Sequence, residues 1–224
     1  MERYSRLLQL EDISKDKLIS LARKRVLIIG VGGVGQHVST YLVTNGVINL
    51  TIVDYDKVEI SNLNRQILLT ENDIEKLKVD VVKAALLSKN SESHIESLSL
   101  KVDDSNINSL IKGYDLVIDA VDNWKSKLVI AKGCKDNKVP FLHIGVDGYK
   151  GQYCLFKNKS LLDIAKPDIV SSPKDGVMGP MVGAISSLAS LLAIKYLLAE
   201  ELKSDKLHYF DYQSSRFVEM NISQ

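Results

Sequence analysis

The chain has 224 residues with 29 basic and 28 acidic side chains, a formal charge of +1, so it carries no electrostatic footprint for nonspecific nucleic-acid binding, and no nucleic-acid partner is expected. Its length suits one large domain that buries a core without staples, and its two cysteines, Cys134 and Cys154, lack metal-site spacing and read as reduced, buried thiols. The first residues, Met1-Glu2-Arg3-Tyr4-Ser5-Arg6, are charged rather than apolar, so no signal peptide is expected and the cytoplasm is the default location.

In chain order, residues 11 to 23 read as an amphipathic helix with Ile13, Leu18, Ile19 and Leu21 among charges. The apolar run Val26-Leu27-Ile28-Ile29 is a buried strand, and it leads directly into Gly30-Val31-Gly32-Gly33-Val34-Gly35, which opens a helix near 34 to 45. That is a nucleotide-phosphate turn: glycine permits positive φ and close backbone approach, so the amides at the helix start converge on phosphate oxygens. A second strand at 50 to 53 ends in Asp54, about 20 residues beyond the glycines, where the dinucleotide fingerprint expects an acid for the ribose hydroxyls. The turn by itself leaves dehydrogenase and adenylating enzyme open.

Next come Asp56, the segment Ser61-Asn62-Leu63-Asn64-Arg65-Gln66, and a helix near 73 to 89 that carries Lys78. A strand near 95 to 100 and a helix near 105 to 112 follow, then a strand at 115 to 119 whose tip bears Asp119-Ala120-Val121-Asp122-Asn123. Arginine offers a planar fork for phosphate oxygens, lysine a point charge, and a carboxylate the hard oxygen that magnesium prefers. Two cations and an acid suit a triphosphate with magnesium better than a nicotinamide. Taken alone, Arg65 would be a solvated arginine, Lys78 a surface lysine, and Asp54 or Asp122 a helix cap.

A helix near 125 to 137 and a strand near 140 to 144 complete an alternating series, which predicts an α/β fold: a Rossmann-like, doubly wound, mainly parallel sheet with ligands at the carboxyl ends of its strands. Gly30, Asp54 and Asp122 all fall at such ends. Residues 151 to 156 and 206 to 220 read as strands of a small C-terminal antiparallel extension. Between them, 157 to 174 carries Pro167 and Pro173 without a clear period and reads as a mobile loop. From Met181 to Ala199 the chain is largely apolar, but Ser186, Ser187, Ser190 and Lys195 interrupt it, whereas a bilayer span needs about 20 nearly uninterrupted apolar residues. A buried helix that packs on the sheet and on a partner subunit is expected, and no membrane.

From Arg3-Tyr4-Ser5-Arg6, through these motifs, to Tyr153-Cys154-Leu155-Phe156, Gly176-Val177-Met178-Gly179-Pro180 and Tyr209-Phe210-Asp211-Tyr212, the chain resembles the family of ThiF, MoeB and HesA, small prokaryotic relatives of the ubiquitin-activating enzymes. The resemblance implies one adenylation unit over 1–224, with a nucleotide-binding core over 1–150 and a partner-binding extension over 151–224. It implies ATP and Mg2+, and a homodimer that adenylates the C-terminal carboxylate of a ubiquitin-like sulfur-carrier protein of the thiamine or molybdopterin type. The implied nucleotide ligands are Gly30, Gly32, Gly33, Gly35, Asp54, Asn62, Arg65, Gln66, Lys78 and Asn123. Arg65 and Lys78 act on the phosphates, Asp122 holds magnesium, and Arg6 reaches the other subunit's site.

Three departures qualify that transfer. Relatives place a glycine three residues before the lysine, where Glu75 stands here. They bind a structural zinc through two Cys-x-x-Cys pairs, neither of which is present, so no zinc is expected. Many carry a cysteine shortly before Gly-Val-Met-Gly-Pro, and Ser172 occupies that place; without a neighbouring base, serine is a far weaker nucleophile than a thiolate. The expected chemistry therefore stops at the acyl adenylate. Competing readings are adenylation of a peptide, a noncatalytic binding protein of this family, and an NAD-dependent oxidoreductase.

Overall fold

The computed structural model describes residues 2–165, 176–200, 202 and 204–222. Its centre is an eight-stranded sheet built from β1 (Arg25–Ile29), β2 (Asn49–Val53), β3 (His94–Leu98), β4 (Leu116–Asp119), β5 (Phe141–Asp147), β6 (Lys150–Phe156), β7 (Lys206–Asp211) and β8 (Arg216–Asn221), ordered β3-β2-β1-β4-β5-β6-β7-β8. The first five strands run parallel, and β6, β7 and β8 continue the sheet in antiparallel steps. This is the Rossmann-like sheet with its antiparallel extension. The order reverses between β1 and β4, so the crevice for a ligand opens at their carboxyl ends.

The central strands are apolar at consecutive positions because both faces are covered. On one face Val26, Ile28, Leu50, Ile52, Ile118 and Leu142 pack with α1 (Lys15–Ala22), α2 (Gly33–Thr44), α3 (Lys78–Lys89) and α6 (Gly179–Leu197). On the other, Leu27, Ile29, Val53, Val117 and Phe141 meet α4 (Ile107–Leu110) and α5 (Trp124–Asn137). One step along a strand changes the face.

Several boundaries shift from expectation. α1 starts only after Ser14, whose hydroxyl accepts from the Lys17 amide at 3.2 Å, and Ile19 points outward. The helix expected from 73 to 89 starts at Lys78, preceded by a 3₁₀ turn over Glu71–Asp73. Its first turn is lost because residues 74 to 77 turn back to pair with 56 to 58: the Val58 amide donates to Lys76 O and the Glu75 amide to Val58 O. Likewise β3 ends at Leu98, and α4 is only four residues long. β5 runs on to Asp147 because β6 pairs with it along its whole length.

Of the expected loop over 157–174, residues 166 to 174, which include Pro167, Ser172 and Pro173, lie outside the described residues. Residues 157 to 159 are held, since Asp205 accepts from the amides of Lys157 at 2.9 Å, Asn158 at 3.2 Å and Lys159 at 3.1 Å.

α6 is long and apolar enough to cross a bilayer, yet Met181, Ile185, Ala189, Ala193 and Leu197 are spent against α2 and the sheet. Leu188 and Leu191 remain 38% and 53% exposed on its outer side.

Candidate functional site

The four turn glycines have different reasons. Gly30 leaves β1 at φ +94°, and a Cβ there would lie 2.7 Å from the Ala120 carbonyl oxygen of the β4 tip. A Cβ on Gly35 would stand 2.0 Å from Gly30 O, and one on Gly33 3.1 Å from Val182 Cγ1. Packing therefore demands the first two and favours the third. Gly32 is unlike them: its φ is −73°, and the nearest atom to an added Cβ is a side-chain nitrogen of Gln66 at 3.7 Å. Among the described residues nothing crowds this position, so its bare Cα leaves room over the turn for a ligand. The N-cap of α2 is Gly32 itself, which has no side chain to cap it, so the orphan first-turn amides and the positive end of the helix dipole face that room.

Asp54, at the β2 tip, closes one wall. Its carboxylate accepts from the Val31 amide at 2.8 Å and the Asp56 amide at 2.9 Å, tying the acid to the turn. Burial pushes its pKa above the ordinary carboxylate value, only partly offset by those two amides and the nearby Lys78 charge. Lys78 opens α3 with its side chain 8% exposed and its ammonium 2.9 Å from Asp56 Oδ2. The pair forms because the 74–77 turn sets the Lys78 amide on Asp56 O. At Glu75 that turn adopts φ +68°, a left-handed conformation costing a side-chain-bearing residue about 1 kcal/mol, which accounts for the glycine of relatives.

Arg65 lies beside the turn: its Cγ would be 3.4 Å from a Cβ on Gly33, and its guanidinium donates to Ser61 O and Asn64 Oδ1, both at 2.9 Å. Asn62 and Gln66 are buried and shape the loop. Asn62 Oδ1 accepts from the Glu59 amide at 3.2 Å, and Gln66 Oε1 accepts from Gln36 at 3.2 Å. The glycine turn, Asp54, Arg65 and Lys78 thus gather at one end of the sheet. Arg6 lies in the N-terminal segment, and its guanidinium donates to Gln9 at 3.4 Å.

Past β4, Asp122 and Asn123 are exposed, and the capping role is taken by Asn123, whose Oδ1 accepts from the Ser126 amide at 2.9 Å. Beneath them is a network that sequence reasoning missed. Asp119 is fully buried and accepts from Lys127 Nζ at 3.0 Å and His143 Nδ1 at 2.8 Å; Gln152 Nε2 lies 3.2 Å from the other ring nitrogen. Burial pushes His143 down, so the ring is neutral; burial would raise Asp119, but Lys127 and His143 overcome it and hold the carboxyl below its usual range. The available signal was a polar residue in the middle of Phe141-Leu142-His143-Ile144.

Cys134 and Cys154 are buried, and burial pushes both thiols well above their ordinary pKa, so neither is a ready nucleophile. Among the described residues no three His, Cys, Asp or Glu side chains converge as a preformed metal cage. A single carboxylate suffices for magnesium that arrives with phosphate oxygens, so Asp122 at the strand tip fits that ion.

Comparison with known proteins gives the family. The ThiF family model matches residues 4–224. The molybdopterin-synthase adenylyltransferase of Escherichia coli K12 is 33% identical over 230 residues, covering 99% of this chain and 92% of that protein. The adenylyltransferase and sulfurtransferase MOCS3 of Culex quinquefasciatus is 31% identical over 98% of this chain, which spans 52% of its length. The crystal structure of E. coli MccB with MccA superposes with a TM-score of 0.89 at 25% identity, over 99% of this chain and 72% of that one. Matched along almost its whole length in sequence and in fold, the chain belongs to the ThiF family.

Proposed function

We propose that this protein is an ATP-dependent adenylyltransferase that activates the C-terminal carboxylate of a ubiquitin-like sulfur-carrier protein of the thiamine or molybdopterin type. The observation that carries the reading is the turn at Gly32, left open among the described residues, with Lys78, Arg65 and Asp54 around it, backed by relatives that bear adenylyltransferase names. A carboxylate resists attack because its charge repels nucleophiles and its leaving group would be oxide. Adenylation removes both obstacles: a carboxylate oxygen bonds to the α-phosphorus, the bond to the bridging oxygen breaks, and pyrophosphate departs.

The protein's part is positioning and charge neutralisation. The turn amides cradle phosphate oxygens, Asp54 takes the ribose hydroxyls, and Arg65 and Lys78 neutralise charge as pyrophosphate leaves. Asp122 would hold magnesium, which when bound would supply further charge neutralisation on the phosphates. Although its side chain is almost buried, Lys78 has an ion-pair partner in the resting protein, Asp56 Oδ2 at 2.9 Å. The likeness to MccB with MccA favours a second reading, in which a peptide is the acceptor.

Incubation with ATP, magnesium and either a thiamine-type carrier, a molybdopterin-type carrier or a short peptide tests both readings. Pyrophosphate release is expected with one carrier, while calorimetry shows ATP binding much more tightly than NAD. Release with the peptide alone moves the acceptor class, and NAD binding as tight as ATP overturns the adenylation reading.

The active form in this proposal is a homodimer. Leu188 and Leu191 on α6 support it, since they leave apolar surface outward on a helix whose other side is already packed. Arg6 then serves the partner's site. Light scattering is expected to give twice 24.9 kDa. Mixing Arg6→Ala with Arg65→Ala subunits is expected to restore activity, because one site per mixed dimer holds both arginines. An active monomer, or exchange of subunits without recovery, refutes the shared site.

A further inference from the structure

A buried carboxylate, a buried ammonium and a buried imidazole together cost more than an apolar core of the same volume, so their place beneath a functional turn needs a reason beyond stability. The Asp119, Lys127 and His143 side chains are 0%, 8% and 1% exposed. Their bonds converge on the chain that carries Asp122. Besides Lys127 and His143, Asp119 accepts from the Val121 amide at 3.2 Å, one residue before Asp122; one residue after it, Asn123 caps α5.

Lys127 comes back from the first turn of that helix. It donates to both Asp119 oxygens at 3.2 and 3.0 Å and to Ile144 O at 2.8 Å, so α5, β4 and β5 are tied at one ammonium. His143 is the direct cross-strand neighbour of Asp119, and its ring stacks against Trp124 with centroids 6.1 Å apart. With the ring neutral, Nδ1–H donates to Asp119 and Nε2 accepts from half-buried Gln152 of β6, 3.2 Å away.

We infer that Asp119, Lys127, His143 and Gln152 are positioning residues that set the turn bearing Asp122 for the magnesium-bound phosphates. The inference rests on the proposed role of Asp122. It adds to that role a chain of contacts across three strands, from the antiparallel extension to the β4 tip. None of the four touches the reacting atoms. Their effect reaches the reaction through the placement of one carboxylate.

The test compares ATP affinity by calorimetry, with magnesium and with EDTA, in wild type, Asp122→Ala, His143→Leu and their double variant. Asp122→Ala is expected to abolish the gain that magnesium confers. His143→Leu is expected to remove about 10-fold of that gain while leaving magnesium-free affinity unchanged, the scale on which residues behind a metal ligand act. The double variant is then no worse than Asp122→Ala, since both changes act on one contact. His143→Asn, whose amide can take the place of Nδ1–H, recovers most of the gain. In His143→Leu the Val121 amide also exchanges with deuterium faster than in wild type.

If Asp122→Ala loses the magnesium gain and His143→Leu keeps it, the positioning role is wrong. Equal loss with and without magnesium makes the network part of the general core and overturns it as well. A full magnesium gain in Asp122→Ala removes the role assigned to Asp122, and the inference with it. Should His143→Leu not fold, Gln152→Leu at the half-exposed end of the chain of contacts takes its place with the same expected pattern.

Discussion

Arg65→Ala and Asp122→Ala are each expected to lower carrier-dependent pyrophosphate release by roughly 100-fold, about 3 kcal/mol of transition-state stabilisation for one lost electrostatic contact. Neither should lower the melting temperature by more than a degree or two, because surface substitutions of this kind usually stay within about 0.5 kcal/mol. Among the described residues Arg65 bonds to acceptors of its own loop, Ser61 O and Asn64 Oδ1, and Asp122 is exposed past the end of β4. Lys78 makes a less clean test. Its side chain is 8% exposed, and its removal strips a partner from Asp56, so lost activity would be mixed with lost stability. Unfolding of Arg65→Ala or Asp122→Ala, seen by circular dichroism, would assign these residues to the scaffold instead.

Gly35→Ala and Gly32→Ala are expected to fail in opposite ways. At Gly35 the new methyl would sit 2.0 Å from the Gly30 carbonyl oxygen, a backbone atom that no rotamer change can move. The turn would have to open, at a cost of roughly 3 kcal/mol, which lowers the melting temperature of a chain this size by about 10 °C. At Gly32 the methyl would meet, among the described residues, only the tip of Gln66 at 3.7 Å, and the backbone is already at negative φ, so the protein folds as before. The methyl does occupy the space above the α2 amides, and ATP affinity is expected to fall by at least about 10-fold, more than 1.4 kcal/mol. Thermal melts and calorimetry on the two variants separate the cases. Unchanged ATP binding by Gly32→Ala would mean that phosphates do not lie on this turn.

The residues alone determined a good deal of this. Consecutive apolar positions in β1 and β4 marked strands buried on both faces, and their alternation with helices set the parallel core, because that pattern leaves a strand no solvent face. The strand-turn-helix glycines and the acids at strand tips located the crevice, since those ends are where helix amides converge. Helix starts were less visible. Residues 73 to 77 have good helical periodicity, yet pairing with 56 to 58 overrides it, and only the folded backbone shows that Glu75 is turned left-handed to bring Lys78 onto Asp56. The same holds for the reasons behind the glycines. Sequence treats Gly30, Gly32, Gly33 and Gly35 alike, whereas distances to Ala120, Val182 and the Gly30 carbonyl decide which of them packing requires and which leaves room for a ligand. Asp119, Lys127, His143 and Gln152 come from β4, α5, β5 and β6, and nothing local to any of them signals the others. Their meeting was decided by strand register and by the close approach of α5 to β4, because a buried charge is stable only where the tertiary fold brings its partners within hydrogen-bond reach.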